Sequence, residues 1–583
     1  MPNPYGYPRP EYPRPERQRG TLEGLDWLNL NGPWQFRFDP ERRGEQEHWH
    51  QPDDLQWREQ IIVPFPWESL SAWGEGDAAG NDNYYSTRVF RNPLEVNRQN
   101  HRYAPRYEVG WYRREIKIPD NEHWRGKRVI VTIGAADFFT DGWCNGFHLG
   151  HHEGGYLPFE YDITDFLKPG ENGVLLGLLI LRVEDPMDNK EQPVGKQWRW
   201  YTTNSGIWQT VFVEPRNRTH IDRFQLASDL NEAAEHFIVY CADAGDDCTL
   251  EIEITPPKEG ASISVKCPVQ DGIVNRRIPI QPLYPWNPNE PHLYSVILRL
   301  SRKGELVDVV RTYFGMRSIG PAPTEDPAAP MALCLNGVAR YLRGALHQSY
   351  YPEGIYTAGD VQTFKNDIAY AKKVGFNFLR IHIKIDDPLL LYYADSMGIL
   401  IMADFPNFGE GGDTALGRRR FEEMMRLAIQ RDFNHPSIFA WCLFNETWGF
   451  GGQVEFVEFI SPAPNKAKVT EGNPPPAALS GIKSDVAIAN TETVKAKDAA
   501  EAATARLKLS NQSSHVWVQK MWELAKKLDT TRLIEDMSVV HWEHLDYYAH
   551  GDTDINSWHF YMHDYEKAKE HIQKVVSATY AGS

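Results

Sequence analysis

Three hydrophobic rhythms follow one another along the chain. From about Leu30 to Pro215, apolar and polar positions alternate in short runs broken by Gly, Pro, Asn and Asp, clearest at Tyr112 to Ile118, Arg128 to Ile133 and Gly173 to Val183. Successive side chains on a strand point to opposite faces, so each such run is a strand with one buried face. Their even spacing predicts an all-β sandwich or jelly roll. A second β region, from about Thr219 to Ser318, includes Thr249 to Ile254 and Tyr294 to Leu300, and its length suits an immunoglobulin-like sandwich. From Arg340 onward short apolar strands (Tyr341–Leu346, Asn377–His382, Leu400–Phe405, Ile438–Glu446, Leu533–Met537 and Ile555–Tyr561) alternate with amphipathic helices near 361–374, 388–397, 417–433 and 515–528. Such alternation predicts parallel strands, either doubly wound or closed as a (β/α)8 TIM barrel. No Gly-x-Gly-x-x-Gly follows a strand, which removes the dinucleotide-binding version and favours the barrel.

The expected organisation is a disordered or surface-draped tail over 1–20, a jelly roll over 21–217, an immunoglobulin-like β-sandwich over 218–320 and a partial TIM barrel over 321–583. Six strands and a further helical stretch, Tyr565 to Ser577, are visible in the last unit. Residues 461–514 contain no Phe, Trp, Tyr, Met, Cys or His and cannot build a core, so they read as a disordered or loosely helical insertion. A spacer or a gene-model artefact is the first reading of that insertion, and an active-site lid the second. Setting it aside, the unit falls short of the ~250 residues the barrel usually takes, so the barrel is expected to be incomplete.

Composition narrows the class. Hydrophobic content of 41% and charged content of 24% are those of an ordinary globular chain. The 19 Trp and 27 Tyr are many; most are expected to fill β cores and a minority to stack on sugars. A net charge of −17 argues against a nucleic-acid partner. Six Cys, at 144, 241, 248, 267, 334 and 442, lack metal or redox spacing and read as buried thiols; no metal and no cofactor is expected. No apolar run approaches the ~18 residues of a membrane span. Met1 to Arg19 lacks an apolar signal core, so a cytoplasmic location is the default expectation, with secretion and a homo-oligomer left open.

The chemistry gathers at Ile438-Phe-Ala-Trp-Cys-Leu-Phe-Asn-Glu446-Thr-Trp448, an apolar strand ending in a carboxylate. The C-terminal end of a parallel barrel strand lies at the catalytic mouth. Partly apolar surroundings would raise the carboxyl pKa and let Glu446 donate a proton near neutrality. On the strand pattern alone, a Glu446 paired with an arginine is an equal alternative. Asn445 is placed to bond a sugar hydroxyl, with Trp448 beside it. Arg380 and His382 end the second strand, His347 follows the first, Asp404 ends the third, and His559 and Tyr561 end the sixth, two apart and so on one side. His347 and Asp404 are candidate sugar-hydroxyl contacts. Lys384 suits either an anionic sugar or, more simply, a solvated position.

The run Asp432 to Glu446 resembles the acid/base signature of glycoside hydrolase family 2, which holds β-galactosidases, β-glucuronidases and β-mannosidases. Leu30-Asn-Gly-Pro-Trp34, Val63-Pro-Phe-Pro-Trp67, Gly110-Trp-Tyr-Arg-Arg114, Asn145-Gly146 and Gly206-Ile-Trp-Gln-Thr210 resemble its sugar-binding jelly roll. Trp286 to Tyr294 and Phe314-Gly-Met-Arg317 resemble its immunoglobulin-like domain, and Asn336-Gly337 and Arg343-Gly344 its barrel entry. The resemblance implies a retaining exo-glycosidase acting on β-glycosides, with Glu446 as acid/base, Arg380 steadying the nucleophile's charge, and His559 and Tyr561 contacting sugar or orienting the nucleophile. A structural salt bridge remains an equal reading of Arg380. The strand-seven nucleophile is expected beyond Ser583. Glu566 and Glu570 are poor substitutes, and the chain alone is expected to be inactive. Ile381-His-Ile-Lys-Ile385 and Asp404-Phe-Pro-Asn-Phe408 depart from the β-galactosidase pattern and put a galactoside and a metal site in doubt. The alternatives are a non-catalytic carbohydrate-binding protein or pseudo-enzyme with a remnant barrel and, lowest, a purely structural sandwich.

Overall fold

The structure is a computed structural model. It describes residues 8–20, 26–53, 57, 59–73, 107–186, 188–197, 201–321, 332–409, 411–446, 514–540, 550–559 and 562–580.

The first unit is a two-sheet sandwich. One sheet runs in the order Glu59–Val63, Gly32–Phe38, Val109–Ile118, Leu175–Glu184, Phe139–Cys144 and Phe147–Glu153; the other runs Phe159–Asp162, Arg128–Ile133, Val211–Arg216 and Leu28–Asn29. The period-two pattern explains the packing. Phe36 pairs with Tyr112 and Tyr112 with Leu181 across neighbouring strands, and all three are buried with Trp34, Trp67, Val131 and Val213. The second unit has the seven strands of an immunoglobulin-like sandwich. His220–Asp229, Ala234–Ala242 and Ile273–Pro279 form one sheet, and Cys248–Thr255, Ile263–Pro268, Tyr294–Arg302 and Glu305–Phe314 the other.

The expected disordered tail is corrected for residues 8–20. Gln18 and Arg19 add a strand to the edge of Glu305–Phe314, opposite Arg311 and Val310. Arg9, 2% exposed, bonds Asp387 at 2.9 Å, Tyr12 donates to Glu214, and Arg19 pairs with Asp308. A segment rich in Pro, Tyr and Arg looks disordered by composition, but its long polar side chains find buried partners in all three units, which holds it as a strap. Of the 461–514 insertion, only Ser514 lies within the described residues, as the first residue of a helix.

The third unit is an all-parallel sheet whose six strands lie side by side in chain order: β1 (Gly344–His347), β2 (Phe378–Ile381), β3 (Leu400–Asp404), β4 (Ile438–Asn445), β5 (Leu533–Val540) and β6 (Trp558–His559). Helices α1 (Val361–Lys373), α2 (Pro388–Met397), α3 (Ala415–Asp432), α4 (514–528) and α5 (Tyr565–Tyr580) accompany them. Their starts follow from capping. Asp360 accepts from Thr363 N, Asp387 accepts from Leu389 N with Pro388 at the first helical position, and Thr414 accepts from Gly417 N. Every residue of β4 is buried, as expected of a parallel strand covered on both faces. β1 starts three residues later than its apolar run, and the described part of the run expected for β6 is a strand at Trp558–His559.

The sandwich and the parallel unit meet at a polar seam. Asp395 of α2 accepts from the Tyr313 hydroxyl at 2.7 Å and from Ser437 N at 2.8 Å, and its carboxylate lies 2.6 Å from His435 Nδ1. Arg317 donates to the carbonyls of Pro436 and Ile438 at 2.6 and 2.8 Å. All six cysteines are buried and free. Among the described residues, no helix is long and apolar enough to cross a membrane.

Candidate active site

Parallel strands place their C-terminal ends on one rim, so the last residues of successive strands face a common space. Here Arg380 of β2, Asp404 of β3, Asn445 and Glu446 at the end of β4, Ser538 of β5 and His559 of β6 are joined in one hydrogen-bonded cluster.

Arg380 is its hub. The guanidinium Nε donates to both Asp404 oxygens at 2.8 and 3.0 Å. Nη1 donates to Ser538 Oγ at 2.8 Å and lies 3.2 Å from His559 Nε2, while Nη2 donates to Asn445 Oδ1 at 3.2 Å. Burial works against the charge of both Arg380 and Asp404. Their mutual attraction outweighs it, so the arginine pKa is raised and the aspartate pKa lowered, and both stay ionised. The arginine therefore spends its charge on Asp404. Arg380 thus pairs with Asp404 and not with Glu446.

Glu446 is 2% exposed and has φ +54°, a left-handed conformation that costs a non-glycine residue on the order of 1–2 kcal/mol. Its amide donates to Ser538 O at 2.7 Å. His559 Nδ1 lies 3.1 Å from Glu446 Oε1, and His559 Nε2 lies 2.5 Å from Ser538 Oγ. With the Arg380 Nη1 donor facing Nε2, that nitrogen is the acceptor, which leaves Nδ1–H to donate to the glutamate. The short, two-residue β6 thus delivers one ring that orients the carboxyl.

Asn445 is fully buried, and its Nδ2 has no hydrogen-bond partner. An orphaned donor buried beside a carboxyl is unusual in a packed protein and fits a polar ligand. Asn407 supports the same strand end, its Nδ2 donating to Asn445 O at 3.2 Å and its Oδ1 accepting from Asn445 N at 3.3 Å.

Other expectations need correction. Asp404, expected to touch a sugar hydroxyl, has a side chain with no exposure and is consumed by Arg380 and by His382, whose Nδ1 lies 3.2 Å away. His347 faces Asp367 of α1, with Nε2 3.0 Å from the carboxylate. Lys384 is neither solvated nor a sugar contact. It is a buried strut bonded to Asp386 at 3.1 Å, Ser349 O at 3.1 Å and Tyr356 O at 2.9 Å. Trp448 and Tyr561 lie outside the described residues. Three residues were missed by sequence reasoning: Ser538, Asn407 and Lys196. The last comes from the jelly roll and donates from Nζ to His382 Nε2 at 3.0 Å. Its only signal was an unexplained Gly-Lys pair in Pro193-Val-Gly-Lys-Gln197. Among the described residues, no group of three or more His, Cys, Asp or Glu is arranged to hold a metal ion.

The order of a jelly roll, an immunoglobulin-like sandwich and a parallel unit with a glutamate on its rim has a counterpart in sequence. Residues 28–215 match the profile described as "Glycosyl hydrolases family 2, sugar binding domain", and residues 219–317 match "Glycosyl hydrolases family 2". Two adjacent stretches of the chain thus match models of one family, glycosyl hydrolase family 2. Among the chain's relatives are a β-galactosidase of Thermoanaerobacter pseudethanolicus, 26% identical over 57% of this chain and 44% of that protein, and a β-glucuronidase of Bacteroides fragilis, 25% identical over 74% and 58%. The chain thus spans about half the length of these curated relatives. Solved structures with the same fold include an FMN-binding β-glucuronidase from Faecalibacterium prausnitzii L2-6, with TM-score 0.65 and 20% identity over 96% of this chain and 70% of that one. A Bacteroides uniformis β-glucuronidase follows, with TM-score 0.59 and 19% identity over 90% and 52%.

Proposed function

We propose that this chain carries the proton-donating side of a retaining β-glycosidase centre, with Glu446 as general acid and then general base. The carrying observation is the 3.1 Å contact between Glu446 Oε1 and His559 Nδ1 on the rim. It aims a buried carboxyl that lies beside the unpaired Asn445 donor. In the first step Glu446 protonates the leaving oxygen while Asn445 Nδ2 bonds a sugar hydroxyl; in the second, Glu446 takes a proton from water.

Retention needs a second carboxylate about 5–5.5 Å away. Asp404 is committed to Arg380, and Glu535 of β5 is buried and accepts from Ser557 N at 3.1 Å and from the Ser557 hydroxyl. The nucleophile is therefore assigned outside the described residues. Their side-by-side chain order supports reading the six strands as an arc of a (β/α)8 barrel wall.

Hydrolysis of a panel of aryl β-glycosides tests the reading, run on this chain and on any longer product of the same gene. Turnover abolished by Glu446→Gln is expected. Turnover that survives the change, or its absence from every form while sugars still bind, would favour a carbohydrate-binding pseudo-enzyme.

A further inference from the structure

The jelly roll does more than abut the parallel unit. Its segment from Gln192 to Gln197 lies over the rim and is fixed by backbone. Val194 N and Gly195 N both donate to Asn407 O at 2.9 Å, and Pro193 bridges Phe408. Gly195 has φ +61°, and a Cβ there would lie 2.8 Å from Ile383 O, so only glycine lets the segment come this close. Gln192 and Gln197 anchor it from behind, the first donating to Asp137 at 2.7 Å and the second to the Tyr156 hydroxyl at 3.2 Å. Asn407 is also the residue whose side chain grips the Asn445 backbone, so one asparagine ties the segment to the strand end that carries Glu446.

What this rigid mount presents is an ammonium group. Lys196 Nζ can only donate, so its 3.0 Å contact makes His382 Nε2 an acceptor and leaves Nδ1–H to donate to Asp404. Among the described residues, the charged and titratable groups of the rim are Arg380 of β2 and His382 just after it, Asp404 of β3, Glu446 at the end of β4, His559 of β6 and Lys196, with Cys442 and Glu535 level with Asp404 in the register. Arg380 is spent on Asp404. Lys196 brings a second fixed cation among the described residues, and it interacts electrostatically with Glu446.

We propose that Lys196, carried across a domain boundary by the jelly roll, is a positioning residue of the Glu446 site: it locks the His382 tautomer and sets a fixed positive charge near the acid/base carboxyl. This rests on the reading of Glu446 given above. Burial lowers the lysine pKa and the attraction of Glu446 offsets part of that, as expected of a buried ammonium with a carboxylate near it. The jelly roll then has a duty in the chemistry beyond holding sugar, since undocking its segment would withdraw the cation and free the histidine.

Two signals read this without turnover in the full chain. In 15N-histidine spectra, His382 is assigned by its loss in His382→Gln. It is expected as the Nδ1–H tautomer, and Lys196→Met should convert it to a mixture. In 13C-carboxyl glutamate spectra, Glu446 is assigned by Glu446→Gln. A nearby cation favours the carboxylate, so Lys196→Met should move the Glu446 midpoint upward by about one unit or more, and Lys196→Arg, which keeps the charge, should restore it. Where turnover is seen, the high-pH limb of kcat/KM should move up with the midpoint, because the acid must be protonated to act. An unmoved midpoint, or equal shifts in the Met and Arg variants, overturns the proposal. Failure of the acid/base assignment is a separate result, read from the kinetics of Glu446→Gln.

Discussion

Two buried polar regions of this molecule are built to opposite ends. At the seam between the immunoglobulin-like sandwich and the parallel unit, Asp395 has three partners within 2.8 Å, and none of Tyr313, Asp395, His435 or Arg317 has positive φ. On the rim, Glu446 and Ile383 both sit at positive φ, +54° and +55°, Asn445 keeps an unpaired donor, and a lysine is supplied by another domain. A β-branched residue at positive φ is rare, and strain of this kind persists only where surrounding structure enforces it. The seam uses buried polar groups for cohesion. The rim leaves a buried donor, Asn445 Nδ2, without a protein partner among the described residues.

Breaking the two regions should therefore give opposite signatures. Asp395→Ala leaves His435 and Tyr313 without their acceptor and should cost about 3–5 kcal/mol in urea unfolding. Gly195→Ala should cost less, about 1–3 kcal/mol by the same measurement, because the strain falls on one loop. It should also reproduce the upward Glu446 titration shift of Lys196→Met. Glu446→Gly relieves the left-handed backbone and should stabilise the chain by up to about 1 kcal/mol, which would mark the strain as serving function.

Acid sharpens the comparison further. The Asp404 pKa is lowered in the fold, since the Arg380 charge and the His382 bond outweigh burial. Its contribution is present above the ordinary aspartate value and is lost as pH falls through the lower folded value. The His435 pKa is raised, Asp395 outweighing burial, so its contribution is present below the ordinary histidine value and lost as pH rises through the folded value. Urea midpoints of Asp404→Asn and His435→Gln against pH should converge on the parent at opposite ends, the first at low pH and the second at high pH.

The strand-helix alternation made the parallel unit legible, because buried strands and one-faced helices leave different periods in the sequence. The rim residues on β2, β3 and β4 were legible as strand ends. Asp404 and His347 were placed correctly on the backbone but given the wrong partners, since the period of a strand says where a residue sits and not whether Arg380 or Asp367 will meet it. Lys384 failed for the same reason, its pocket being closed by Ser349 and Tyr356 from another loop. Lys196 was out of reach because its effect depends on how two domains dock. The strap over 8–20 misled composition, because its order comes from partners more than a hundred residues away, Asp387, Glu214 and Asp308.

The central claim is that the Glu446 carboxyl gives its proton to the departing oxygen. In whichever form of the protein turns over aryl β-glycosides, kcat/KM for Glu446→Ala should be measured across leaving groups of rising pKa. The account predicts a loss of about 10²–10⁴-fold for poor leaving groups that shrinks toward none for the most acidic phenols, which need no proton. A uniform loss across the series would contradict it.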